Sequence, residues 1–335
     1  MILGRLTLKA AFIFIAISWI TPPLSFPKVG KWSQKADMPT ARFALSTATV
    51  GGKIYAVGGR VGNTLLSKTE VYDPIANRWI KKADMPTRRE GLSTSSVDNQ
   101  IYAIGGGDLG GMLAVVEAYD PTTNTWARKA DMPTARWGLS TSTVNGKIYA
   151  FGGDKVALTM VEVYNPTTNT WDRGADMPSP RWGLSTSVVN RKIYAIGGTP
   201  NGIESLRTVE VYDPATNTWA QRAEMPTPRW GLSVSAINGK IYAVGGTQNG
   251  RDGLQSVEIY DTITDTWTKA PNMPTPRGNL AASAVNGEIY AIGGSQGLLR
   301  RALSTVEAYD TGLPPQSVQA QEKLAMLWGK LKVEK

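Results

Sequence analysis

The chain has 335 residues, with 36 Lys and Arg against 27 Asp and Glu, a formal charge of +9. It has neither cysteine nor histidine, which excludes disulfides, thiolate zinc sites, cysteine nucleophiles, Ser-His-Asp triads and histidine metal ligands. Residues 1–36 carry +5, residues 311–335 carry +2, and the body between them holds 27 basic against 25 acidic groups. A body so nearly balanced lacks the concentrated basic face that nucleic acid requires, so no nucleic-acid partner is expected.

The N-terminus comes first. Arg5 and Lys9 precede an apolar run, Ala10–Ile20. Eleven residues of helix rise about 16 Å, short of the ~30 Å needed to cross a bilayer core. Residues 1–25 therefore read as a cleaved signal peptide, with cleavage expected after Ser25. Export to a periplasmic or extracellular location is expected, with no integral membrane span in the mature form.

A repeat of about 47 residues then fills most of the chain. A Gly-Gly pair recurs at Gly58, Gly105, Gly152, Gly197, Gly245 and Gly293. A Trp lies 26 residues before each pair, at Trp32, Trp79, Trp126, Trp171, Trp219 and Trp267. A Glu recurs at Glu70, Glu117, Glu162, Glu210, Glu258 and Glu307, and the next Trp comes nine residues after each of the first five.

Each unit reads as four short strands. In the third unit, residues 138–144 are small and β-branched, suited to a tightly packed inner strand. Asn145-Gly146 makes a two-residue hairpin turn. Residues 147–153 form an apolar buried strand and 160–166 an alternating one. Pro166 and Asn169 turn the chain into a fourth strand around Trp171, which the next Met-Pro stops. Six such units predict an all-β fold, a six-bladed β-propeller of four-stranded blades. Residues 26–315 form that single ring. Nine residues beyond Glu307 stands Gln316 rather than Trp. The sixth Trp is Trp32, so an N-terminal strand near 30–36 is expected to complete the last blade and close the ring.

After Pro315 the pattern changes. Leu324, Leu327, Trp328 and Leu331 fall at helical spacing. Residues 316–335 are expected to form a short amphipathic helix, docked on the propeller or contacting a membrane surface, an envelope polymer or a partner, with a disordered tail as the remaining alternative.

The Gly-Gly pairs, the Tyr before Asp-Pro (Tyr72, Tyr119, Tyr212) and the Trp nine residues after each Glu resemble the Kelch repeat. With strands lettered A to D from the axis outward, the A–B and C–D turns share one face. The B–C and D–A connections share the other. All length variation lies in the B–C connections, of 10, 10, 8, 11, 11 and 12 residues. Loops set on a rigid scaffold are where binding resides.

Two positions per blade should crowd the mouth on that face. One comes directly after the repeated Arg: Phe43, Glu90, Trp137, Trp182, Trp230 and Gly278. The other comes directly after Gly-Gly: Arg60, Gly107, Asp154, Thr199, Thr247 and Ser295. The resemblance to Kelch substrate-adaptor domains implies that a ligand is gripped from these positions. Trp137, Trp182 and Trp230 either form an aromatic wall suited to a sugar ring or a hydrophobic anchor, or lie flat on the Met-Pro segments and cap the core. Loop groups Asn63, Asp108, Asn201, Asn249 and Arg251 can add hydrogen bonds. The repeated Trp, Arg and Glu read as architecture, with the Arg residues bonding backbone between blades.

A binding module for a protein or glycan ligand is expected, monomeric and without a cofactor. A copper site like that of galactose oxidase needs histidine and cysteine, so that chemistry is excluded. The alternative that the resemblance leaves open is a sugar-modifying enzyme similar to sialic-acid mutarotases, with Glu90 and Arg60 as its acid and cation. Deleting residues 26–36 should lower the midpoint of thermal unfolding by on the order of 10 °C or more. An unchanged midpoint in calorimetry refutes the closing strand.

Overall fold

The structure is a computed structural model that describes residues 30–154, 158–297 and 301–313. All regular structure among these residues is β. It forms six antiparallel four-stranded sheets and three two-stranded ribbons within B–C connections. The third blade shows the plan. Strands Ser140–Val144 (A), Lys147–Phe151 (B), Val161–Asn165 (C) and Thr170–Arg173 (D) lie side by side in chain order. Blades one, two, four and five repeat it, with A strands beginning at Ser46, Ser93, Ser185 and Ser233. The sixth sheet combines Ala281–Val285, Glu288–Ile292 and Val306–Asp310 with the strand Trp32–Gln34. Trp32 stands opposite Tyr309 and Gln34 opposite Glu307. The expected signal (1–25) and C-terminal helix (316–335) lie outside the described residues.

The strands are shorter than their sequence pattern because glycines end them. Asn145 (φ 50°) and Gly146 (φ 73°) make the hairpin turn with the left-handed backbone that such turns need. Gly152 (φ 58°) and Gly153 (φ 98°) turn the chain out of strand B, so that strand stops at Phe151. Gly152 also yields space to the next blade. A Cβ there would lie 2.3 Å from the Arg181 carbonyl oxygen, which accepts a hydrogen bond from Gly153 N–H at 3.1 Å.

The apolar core lies between blades rather than inside any one of them. Tyr102, Ile104 and Val116 of blade two pack with Ile148, Ala150 and Tyr164 of blade three. The D-strand Trp residues bridge the same seam. Trp171 packs against Tyr164 with ring centroids 5.1 Å apart. Its Nε1–H donates to the Ala130 carbonyl at 3.0 Å. The Asn169 side-chain oxygen accepts from both Tyr164 Oη (2.6 Å) and Ala130 N–H (2.8 Å). Around the axis, A strands link through hydroxyls, as in Ser46 with Thr94 (2.9 Å) and Ser95 with Thr141 (2.8 Å). Ser283 of the last blade donates to Thr47 of the first at 2.8 Å.

The repeated Arg and Glu prove to be partners. Arg42, Arg89, Arg181, Arg229 and Arg277 meet Glu70, Glu117, Glu210, Glu258 and Glu307 at 2.6–3.0 Å, and Arg136 pairs with Glu162 in the same way. All six Arg residues are wholly buried. Other donors reach backbone carbonyls of the same blade rather than between blades as expected: Arg42 donates to the Ala56 and Lys68 carbonyls. The second oxygen of each Glu accepts from the hydroxyl two residues before the Arg. Thr40 reaches Glu70 (2.7 Å) and Ser179 reaches Glu210 (2.7 Å). Burial pushes the Arg42, Arg89 and Arg181 guanidiniums down to about 10, against the pull of their carboxylates. They remain charged at neutral pH.

Removing one member of such a pair strands a buried charge, which costs about 3–5 kcal/mol. Glu210→Ala should lose that much stability in urea unfolding. The Arg181→Met/Glu210→Leu double variant should lose less than the sum of its single changes.

Candidate ligand mouth

The D–A and B–C connections are stitched together position by position. The residue after each Arg pairs by backbone with the residue after Gly-Gly of the same blade: Phe43 with Arg60, Glu90 with Gly107, Trp182 with Thr199, Trp230 with Thr247 and Gly278 with Ser295. In blade three, Asp154 N–H donates to the Trp137 carbonyl at 2.8 Å. The two sets singled out in the sequence thus interleave into one rim.

Beneath the rim runs a circle of six residues: Ala44, Gly91, Gly138, Gly183, Gly231 and Asn279. Each N–H donates to the carbonyl of its counterpart in the preceding blade at 2.8–2.9 Å, and Ala44 N–H completes the circle onto Asn279. All six have positive φ, from 50° to 67°. The circle is nearly silent in the sequence, where its only trace is the glycine before Leu in four of the six blades. With the neighbouring leucines and the three Trp residues, it lines a cavity of about 480 Å³, counting space open to solvent.

The Trp residues form a continuous arc. Ring centroids are 5.1 Å apart for Trp137 and Trp182, and 4.9 Å for Trp182 and Trp230. Each indole lies over the circle residue of the blade before it. A Cβ on Gly91 would come 2.2 Å from Trp137 Nε1, and one on Gly183 would come 3.3 Å from Trp230 Cε3.

Exposure along the arc is unequal. Trp182 and Trp230 are 8% and 4% exposed, whereas Trp137 stays partly open. The loops of blades four and five explain the difference. Thr199 and Thr247 hydroxyls accept from Gly202 and Gly250 N–H at 2.8 and 2.9 Å. These tight turns press Gly202 and Gly250 onto the indoles, within reach of Cζ2. Blade three has Asp154-Lys155-Val156 where those blades have Thr-x-Asn-Gly.

Several expected ligand contacts therefore need correction. Phe43, Thr199, Thr247 and Ser295 are buried, with the threonine hydroxyls committed to their own loops. Asn201 and Asn249 accept backbone N–H groups of their loops, from Ile203 and Arg251. Asp108 does the same for Gly110. Phe43, Thr199, Thr247 and Ser295 thus shape the rim from below, whereas Asn201 and Asn249 stay exposed on it and Asp108 is half-buried.

Next to the arc, Arg60 Nη1 donates to Glu90 Oε1 at 2.8 Å, with both side chains partly exposed. Arg60 Nε also donates to the Gly62 carbonyl at 2.8 Å. The guanidinium stands 5.5 Å from the Phe43 ring centroid, a cation–π arrangement. The pair is held on three sides and still faces water. Among the described residues, no cluster of three or more acidic groups could hold a metal ion. No described helix is long and apolar enough to cross a membrane.

Six four-stranded blades with two interleaved connections on one face define a β-propeller. A family model described as the KLHDC2/KLHL20/DRC7 Kelch-repeats domain matches residues 24–153 and 127–294. The chain belongs to the Kelch-repeat family. A solved structure titled "Structure of YjhT" superposes with a TM-score of 0.71 at 17% identity, covering 81% of this chain and 95% of that one. At that identity the likeness is one of fold. Among solved structures 1159 chains match, so the fold alone selects no function. No curated protein matches the chain.

Gly91→Ala tests the seating of Trp137. The substitution adds a Cβ at φ +60° directly into the indole, so it should displace the ring and cost about 1–3 kcal/mol. A changed near-ultraviolet circular dichroism signal with retained β content is the expected readout.

Proposed function

We propose that the protein is an exported binding module that takes a protein segment or a carbohydrate into the mouth on its B–C face. The observation that carries this reading is the pairing of Trp137 with an open cavity. It is the one indole of the arc left partly exposed, and it lies over Gly91, next to Glu90 of the solvent-facing Arg60–Glu90 pair. An amphipathic ring beside a fixed cation and carboxylate suits a ligand with an apolar face and polar edges. The indoles of Trp182 and Trp230 then act as the rigid backing of Trp137 rather than as contacts themselves. Export rests on the pattern of residues 1–25.

A second reading uses the same pair. Glu90 and Arg60 at a propeller mouth suit the sugar-modifying chemistry that the resemblance to sialic-acid mutarotases implies, with the carboxylate moving a proton and the guanidinium holding an anionic substrate.

Glycan and protein-partner screens, run at low and at physiological salt, separate binding from its absence. Trp137→Ala should weaken an identified interaction at least tenfold, about 1.4 kcal/mol. Unchanged affinity overturns the proposed mouth. For the second reading, anomer exchange of sialic acid followed by NMR should be accelerated by the protein and slowed again by Glu90→Gln. No acceleration removes that activity.

A further inference from the structure

The face opposite the mouth holds the C–D turns, and these are not alike. Two residues after the Asp or Asn that ends strand C, blades two, three and four carry Thr122, Thr167 and Ala215. Blades one and five carry Ile75 and Ile263, which are 89% and 85% exposed. These two blades flank the sixth, where the described chain ends. Isoleucine at a solvent-facing turn tip carries an unfavourable hydration that threonine and alanine largely avoid.

The exit of the chain favours one of the two. After Asp310, Thr311 turns back through its N–H and hydroxyl onto the Gly287 carbonyl. Leu313 then packs on the apolar seam between blades five and six, with Ile237, Tyr242 and Tyr309. The chain is thus headed toward blade five. The blade-five turn is also distinct in charge. Its position 265 is Asp, whereas blades one to four have Asn77, Asn124, Asn169 and Asn217 there. Asp265 keeps the structural contacts of those asparagines, accepting from Tyr260 Oη and Ala223 N–H. It adds a carboxylate on an exposed turn beside Ile263.

The chain beyond Leu313 is complementary on both counts. Leu324, Leu327, Trp328 and Leu331 share one face at helical spacing, and Lys323, Lys330, Lys332 and Lys335 accompany them. The eleven residues from Leu313 to Leu324 can span up to about 37 Å. We propose that residues 316–335 dock over the C–D turn of blade five, with the Leu–Trp stripe covering Ile263 and the lysines facing Asp265.

The chain has no cysteine, so a single introduced one reports local access. Maleimide labelling of Ile263→Cys should run at least tenfold slower in the full chain than in the same variant ending at residue 315. Adding Trp328→Asp to the full chain should restore the fast rate without truncation. Thr122→Cys, on the far side of the ring, should label equally in both lengths, which shows that the protection is local to blade five, and unchanged far-ultraviolet circular dichroism of the truncated form shows that the propeller is intact. Equal rates for Ile263→Cys in both lengths overturn the proposal. So does protection that appears at Ile75→Cys and not at Ile263→Cys.

Discussion

Six guanidinium groups, one in each blade of this ring, lie out of contact with water, and the whole mouth is hung on them. A buried cation is expensive unless it is both paired and fully hydrogen-bonded. Here the Glu two strands away supplies the charge. Backbone carbonyls of strand B and of the B–C connection take further Arg donors, and Met38 and Met225 sulfurs accept from Arg42 and Arg229 Nε. The second Glu oxygen secures the Thr or Ser that opens the D–A segment. One side chain therefore fixes the D–A connection of each blade against its B–C connection. The residue after the Arg has no freedom to be anywhere but on the rim.

That constraint separates scaffold from site. The Arg, its Glu, the Trp of strand D and the Gly-Gly pair repeat because the geometry repeats. The residue next to the Arg is released from that duty, and it differs around the ring: Phe, Glu, three Trp and Gly. Symmetric architecture thus carries an asymmetric mouth, with an aromatic arc beside an Arg–Glu pair. The circle of backbone hydrogen bonds below tolerates this, because it asks only for left-handed backbone at each blade. Glycine meets that demand in four blades, and Ala44 and Asn279 meet it in the other two.

How much of this is legible in the sequence depends on whether a side chain or the backbone holds the position. The blade count and strand order come from Trp and Gly-Gly spacing, since turns and packed indoles fix lengths. The repeated Arg, expected to bond backbone between blades, bonds backbone within its own blade instead. That the repeated Glu is its partner is not legible, because the two stand 26–30 positions apart and meet only when strand C is in place. Exposure at the mouth is the least legible. Trp137, Trp182 and Trp230 occupy identical repeat positions, yet the last two are covered by loops whose shape depends on a threonine hydroxyl reaching a glycine N–H three residues on. The spacing that locates these indoles carries no record of what lies above them. For the same reason Thr199 and Thr247 resemble ligand contacts in the sequence, although they are the clasps of those loops.

The sheet that joins Trp32–Gln34 to Val306–Asp310 has a consequence for how the molecule is made. Ser33 and its hydrogen-bond partner Ala308 are 275 positions apart in sequence. At ~5–20 residues per second of synthesis, the first strand waits about 14–55 s for its neighbour. Blades one to five can pair their own strands as they emerge, since every contact within them is local. The Trp32 strand has no such option, and its early neighbours are finished sheets. The slowest contact to form is thus one made by the earliest residues, and a ribosome stalled anywhere before residue 306 would hold an open ring.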